Sequence, residues 1–356
     1  MNKKILVINP GSTSTKIAVY DGEQELFTTT LRHSTEEIGA FSTIPDQKEF
    51  RRSLITEAME SAGVKVADLG AVIGRGGLVK HIPSGVYKVG AQMIDDILHR
   101  PLGQHASNLG ALIAADIAAE AGVEAYIADP VVVDEMEPVA RLTGWAEVER
   151  TSIFHALNQK AVARAYADSI GKPYEALNLI VVHMGGGISV GAHRAGRVID
   201  VNNALDGEGP FSPERVGTLP ALSLAKLCYS GKYTLAEIAK KINGKGGMNS
   251  LIGTNNVKQA VEDATAGDTK AKAAVEAMCY NVGKEIGQMA AVLCGKVDAI
   301  ILTGGIAYNE SICHYITNMV GFIAPVVVMP GENEMEALAN NALRVLEGKL
   351  EAKVYE

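Results

Sequence analysis

A chain of 356 residues with 47% hydrophobic and 21% charged side chains can bury two cores. Its net charge of −8 argues against a nucleic-acid partner, because no surplus of cations exists to displace counterions from a phosphate backbone. No apolar run reaches membrane-spanning length, and the first four residues lead straight into a strand without a signal peptide's apolar core, so no membrane partner and a cytoplasmic location are expected.

In chain order, residues 5–8, 16–20 and 26–30 read as strands, with Asp21-Gly22 supplying a tight hairpin turn. Residues 48–62 form an amphipathic helix, and 71–74 and 125–128 add strands, which makes the first half α/β. Residues 179–183, 189–193 and 198–201 repeat the three-strand opening, with Ala195-Gly196 at the corresponding turn. Helices dominate 219–295; strands follow at 298–302 and 325–329, and a last helix at 334–346. No linker is rich in Pro, Gly or Ser, so a packed hinge is expected near Arg150, between domains 1–149 and 150–335. The four cysteines, Cys228, Cys279, Cys294 and Cys313, have no paired spacing, which disfavours a zinc site or disulfide framework and suggests mostly core thiols.

The repeat carries the chemistry. Asn9-Pro10-Gly11-Ser12-Thr13-Ser14-Thr15-Lys16 follows one buried strand, and His183-Met184-Gly185-Gly186-Gly187-Ile188-Ser189 follows another. Asn9 matches His183, Gly11 matches Gly185, and Asp21-Gly22 matches Ala195-Gly196, all at one offset of 174 residues. One glycine turn after a strand is more often a plain turn than a nucleotide site; three, with Gly304-Gly305-Ile306, point to a nucleotide, since missing side chains let backbone N–H groups approach phosphate oxygens. The expected phosphate and nucleotide contacts are therefore Gly11, Ser12, Ser14, Lys16, His183, Gly185, Gly186, Gly187, Gly304, Gly305 and Ile306. Lys16, just beyond a hydroxyl-rich turn, suits a point charge on a phosphate. Residues 202–217 hold too many breakers for helix or strand, and long structured loops are commonly functional. Arg75 sits among glycines, where a cation has little structural reason to be; His155 beside Phe154 reads equally as a satisfied core histidine, and Asp134 by itself as a solvated acid.

These segments, together with Gly74-Arg75-Gly76-Gly77, residues 129–136, Ser152-Ile153-Phe154-His155-Ala156-Leu157-Asn158-Gln159, the 202–215 loop and residues 330–338, resemble the acetate and butyrate kinase family from end to end, and its butyrate-type members more than its acetate-type ones. The resemblance implies an α/β fold of two duplicated ribonuclease-H-like domains, as in actin, Hsp70 and sugar kinases, with a cleft between them and the helix at about 336–356 returning to the first domain. It implies reversible transfer of the ATP γ-phosphate to the carboxylate of butanoate, giving ADP and butanoyl phosphate, with Mg²⁺. Arg75 would hold the carboxylate, His155 and Arg215 would stabilise the phosphoryl group, Asp134 falls at the catalytic aspartate position, and Asn9 and Glu334 fall where the family manages the metal. A carboxylate nucleophile arrives ionised, so no general base is needed and Asp134 is expected to orient metal or water. The expected partners are a small carboxylic acid and an adenine nucleotide, with assembly as a homodimer or larger homo-oligomer.

Gly77 and Ala204 stand where acetate-type members have larger residues, while Phe154 and Leu102 keep an apolar wall, so the pocket is expected to admit a longer acid. Asn255-Asn256-Val257-Lys258 departs from the acidic and basic pair that borders the nucleotide in acetate-type members and leaves base selectivity open. A propionate, isobutyrate or acetate kinase is the rival within the class. A noncatalytic actin-like ATP clamp is the rival outside it, and would need neither Arg75, His155 nor Arg215. A sugar kinase lacks a sugar-hydroxyl shell here.

Overall fold

A computed structural model describes residues 3–356. The chain divides into two compact units, one running to Val133 and resuming over Asn333–Glu356, the other Asp134–Glu332. The division falls at Asp134, and the C-terminal segment Asn333–Glu356 groups with the first unit.

The first unit opens on β1 (Lys4–Pro10), β2 (Ser14–Asp21) and β3 (Gln24–Arg32), an antiparallel meander. β4 (Ala71–Arg75), β5 (Val86–Lys88) and β6 (Ala125–Ala128) complete a six-stranded sheet in the order β3-β2-β1-β4-β6-β5. β1 is buried on both faces, which is why it reads as a continuous apolar run. On one face Leu6 and Ile8 join a core with Ile55 and Met59 of the helix Lys48–Ser61 and with the helix Asn108–Ala121; the helix Glu334–Leu346 also packs on β1 and β4.

The second unit repeats the plan with β7 (Asn178–Met184), β8 (Ile188–Arg194), β9 (Arg197–Val201), β10 (Ala299–Thr303) and β11 (Val326–Val328), in the order β11-β10-β7-β8-β9. Its sheet is covered on one face by the long helix Thr269–Val292 and on the other by the helix Ala156–Ser169. The matching strand orders make the two units duplicated α/β domains. Two of the four cysteines, Cys279 and Cys313, are buried; Cys228 and Cys294 are exposed, so half rather than most are core thiols.

Strand register corrects the single offset. Asn9 lies opposite Lys16, whereas His183 lies opposite Ser189, so the first loop is one residue longer. With Asn9 set on His183, Lys16 falls on Ser189 and Asp21 on Arg194. Gly22 (φ 61°) then matches Ala195 (φ 50°), not Gly196. In this register both sheets carry their bulge at the same place, between Val19 and Tyr20 and between Ala192 and His193.

Candidate functional site

In the first unit the turn after β1 is built around a residue that the sequence pattern hid. Arg51, fully buried, donates from Nη1 to Gly11 O (2.8 Å), Ser14 O (3.0 Å) and Thr15 Oγ1 (3.0 Å), and from Nη2 to Ser12 O (3.1 Å). Gln47 Oε1 accepts from the same guanidinium, and burial pulls its pKa below the ordinary arginine range. In a trans peptide the N–H points opposite to the preceding C=O, so carbonyls turned to Arg51 turn the amides of Ser12, Thr13 and Thr15 the other way. Consecutive amides held like this form an anion-binding surface. Ser12 and Lys16 are exposed, and Gly11 and Ser14 partly so, which suits the expected phosphate contacts. Arg51 shares its buried stripe with Ile55 and Met59 at i+4 and i+8; a lone arginine on an apolar face was the available signal.

Arg75, Asn9 and Glu334 come together. Asn333 turns the chain with a left-handed φ of 36° so that Glu334 opens the last helix. Arg75 reaches Glu334 through both Nη atoms at 3.0 Å and contacts Asn9 Oδ1 at 3.4 Å, while Asn9 Nδ2 donates to Glu334 Oε2 at 2.8 Å. Asn9 and Glu334 thus present oxygen donors, although no group of three or more His, Cys, Asp or Glu side chains is arranged to hold a metal among the described residues. One amide oxygen and one carboxylate suit Mg²⁺, which keeps several waters and shares substrate phosphates rather than filling a protein cage.

The glycines around Arg75 have a packing reason. A Cβ on Gly74 would lie 2.1 Å from Gly110 O, and one on Gly77 2.4 Å from Asn108 Oδ1 and 2.6 Å from its Cα. The helix Asn108–Ala121 docks directly on this backbone, and Asn108 Oδ1 accepts from Leu78 N at 2.8 Å. Glycine at 77 answers to that contact; it does not open space for acyl methylenes, contrary to the expectation above. Leu102 is half exposed, with its N–H donating to Leu78 O at 2.9 Å.

In the second unit His155 stands just before the helix Ala156–Ser169 and stacks on His183, ring centroids 3.7 Å apart and planes within 9°. His155 Nδ1 is 2.9 Å from Ser189 Oγ. His183 Nδ1 is 2.8 Å from Asn158 Oδ1, and since Asn158 Nδ2 donates to Glu332 O at 3.1 Å, the amide oxygen faces the ring and Nδ1 is the donor. Gly185 N donates to Gly187 O at 2.9 Å, and Ser212 Oγ donates to Gly186 O at 2.6 Å. Arg215 lies across this turn: a Cβ on Gly187 would fall 1.9 Å from its Nη1. That Nη1 donates to Ala204 O at 2.6 Å, and the buried Nε has no hydrogen-bond partner among the described residues. Burial pulls the Arg215 pKa down, as expected for a desolvated cation.

The 202–217 loop that carries Arg215 is anchored throughout. Asn202 bonds Val190 N and Ile188 O; Arg150 donates to Glu208 Oε1 (2.6 Å), Asp200 Oδ1 (2.9 Å) and Val201 O (3.0 Å). Phe154 and Ala204 are buried, and Ala204 N donates to Ile153 O at 2.9 Å. Asp134 is held by Arg141, which donates to both carboxylate oxygens at 2.5 and 2.7 Å. Gly304, with φ 87°, hydrogen-bonds reciprocally with Gly331 and passes so close to Met184 that a Cβ would meet its carbonyl at 2.4 Å. Gly305 is exposed with open space around it, whereas the Ile306 side chain belongs to the core and has only its backbone to offer a ligand. Sequence reasoning missed Arg51, Arg141, Arg150, Gln159 and Ser212, whose partners are set by the fold.

Two duplicated α/β units of matching strand order, each with a glycine turn after its first strand, define an actin-like, ribonuclease-H-like fold. Acetate kinase from Porphyromonas gingivalis superposes with a TM-score of 0.78 at 17% identity, covering 96% of this chain and 99% of that one. Propionate kinase from Francisella tularensis gives 0.75 at 18%, covering 95% and 98%; at such identities the likeness speaks for the fold. The model of the Acetokinase family matches residues 146–327. Butyrate kinase 1 of Clostridium acetobutylicum is 58% identical, covering 99% of both chains, and Butyrate kinase 2 of the same organism is 56% identical over the whole of both. The chain belongs to the acetokinase family.

Proposed function

We infer that this chain is a butyrate kinase, transferring the ATP γ-phosphate reversibly to butanoate to give butanoyl phosphate and ADP. The observation that carries this reading is the similarity, at 56% and 58% identity over the full length, to two proteins named butyrate kinase. The geometry supplies a mechanism of positioning and charge compensation. Butanoate takes the bidentate face of Arg75 now occupied by Glu334, one carboxylate exchanging for another. Arg215 and His155 meet the charge on the transferring phosphoryl group, and the turns at residues 11–14 and 185–187 bind the phosphates. Asp134 has both oxygens engaged by Arg141, which suits an orienting carboxylate and not a proton acceptor; the nucleophile has no proton to lose. Mg²⁺ would be held by Asn9 and Glu334, largely through water, and would supply charge neutralisation of the phosphates when bound. Phe154 and Ala204 form the apolar wall for the acyl chain. The exposed Leu219, Leu222, Leu227, Tyr229 and Leu235 support assembly as a homodimer or larger homo-oligomer, which light scattering measures.

The test is direct: purified protein with ATP, Mg²⁺ and butanoate, with hydroxylamine to trap acyl phosphate as hydroxamate. Butanoyl hydroxamate should accumulate with ADP in equal amounts; ATP hydrolysis without hydroxamate would overturn the reading in favour of an ATP clamp.

A further inference from the structure

A chain of hydrogen bonds runs from the part-buried His155 into the core: His155 to Ser189, Ser189 to Gln159, Gln159 to His193 and His193 to Tyr174. Its polarity can be worked out from one fixed point. Gln159 places one side-chain atom 3.0 Å from the backbone carbonyl of Ser189, which only accepts, so that atom is the amide nitrogen. Oε1 therefore faces His193 and requires a proton on His193 Nε2, 3.0 Å away. His193 is fully buried, and burial with the charges of Lys160 and Arg164 pushes its pKa well below the usual histidine value, so the ring is neutral. Its Nδ1 is then bare and accepts from Tyr174 Oη at 2.7 Å.

The other end follows from counting. Ser189 Oγ has two lone pairs and one proton. Gln159 Nε2 donates to it at 2.9 Å and the backbone N–H of His155 at 3.4 Å, which fills the lone pairs. The hydroxyl proton is left for His155 Nδ1 at 2.9 Å. Neutral His155 therefore carries its own proton on Nε2.

We propose that Gln159, backed by His193 and Tyr174, is a positioning residue that fixes His155 as its Nε2–H tautomer through Ser189, so that the proton offered to the phosphoryl group sits on Nε2. The stack on His183 fixes the ring plane, and the relay fixes the tautomer. This rests on the reading of His155 as a phosphoryl-stabilising donor; the tautomer itself does not.

The experiment is nitrogen NMR of the full chain with labelled histidine at neutral pH, the His155 signals assigned by their loss in His155→Gln, alongside steady-state kinetics. Wild type should show His155 protonated at Nε2. Gln159→Met should populate the Nδ1–H form and lower kcat about tenfold with KM for ATP little changed. Tyr174→Phe, a milder change that keeps the ring, should shift the tautomer in the same direction and serves if Gln159→Met does not fold. A wild-type His155 protonated at Nδ1, or variants that lose activity with the tautomer unmoved, would overturn the proposal. Absence of butanoate phosphorylation in wild type with the Nε2–H tautomer intact would instead sink the functional reading alone.

Discussion

The two glycine turns occupy matching places in duplicated sheets, yet each uses its arginine differently. In the first unit Arg51 lies beneath the turn, wholly buried, and spends its donors on the carbonyls of Gly11, Ser12 and Ser14. In the second, Arg215 lies across Gly187, with one donor on Ala204 O and its Nε unpaired among the described residues. One arginine shapes the backbone; the other keeps charge in reserve. Duplication preserved the strand order, while the loops acquired separate tasks, hydroxyls and Lys16 on one side and bare backbone with a cation on the other.

That contrast can be broken by substitution. Arg215→Ala should lower kcat by at least about a hundredfold while nucleotide binding, followed by titration calorimetry, stays within about threefold, because one preorganised charge is worth ~3 kcal/mol in the transition state. Full turnover would remove Arg215 from the chemistry. Arg51→Met should act on stability instead: three carbonyls and Gln47 lose their donor, and urea unfolding should shift by about 3 kcal/mol, with weakened ATP binding as a secondary effect. An unshifted transition would mean that water replaces the guanidinium.

Smaller changes sharpen the same point. Gly187→Ala puts a Cβ 1.9 Å from Arg215 Nη1 and must displace it, so kcat should fall about tenfold in a protein of near-normal stability. Gly11→Ala meets nothing nearer than Ser14 Oγ at 3.4 Å, an ordinary contact, and should change kcat by less than about twofold. If the two alanines behave alike in rapid-quench kinetics, the turns are not differentiated as described.

Much of this was legible in the chain. The strands at the start of each half and the last helix, Glu334–Leu346, follow from local apolar pattern and turn chemistry. The single offset failed because a one-residue difference in loop length leaves the flanking motifs looking alike, and only strand pairing shows that Lys16 sits opposite Asn9 and Ser189 opposite His183. Gly77 misled for a related reason: the pressure for glycine comes from Asn108, a neighbour supplied by the fold. Arg51 was marked only by its place on the apolar face of its helix, with no sign of the turn 40 residues away that it holds, and nothing local marks Arg141 as the clamp on Asp134. The glycine turns themselves stand out in the sequence; the side chains that hold them in place do not.

The central claim, an ATP-dependent kinase of butanoate, is tested most directly by competition. Equimolar acetate and butanoate, with limiting ATP, Mg²⁺ and hydroxylamine in one vessel, give the ratio of kcat/KM values as the ratio of the two hydroxamates. With two more methylenes buried at roughly 0.8 kcal/mol each, butanoyl product should exceed acetyl product on the order of tenfold. An excess of acetyl hydroxamate, or none of either, would contradict it.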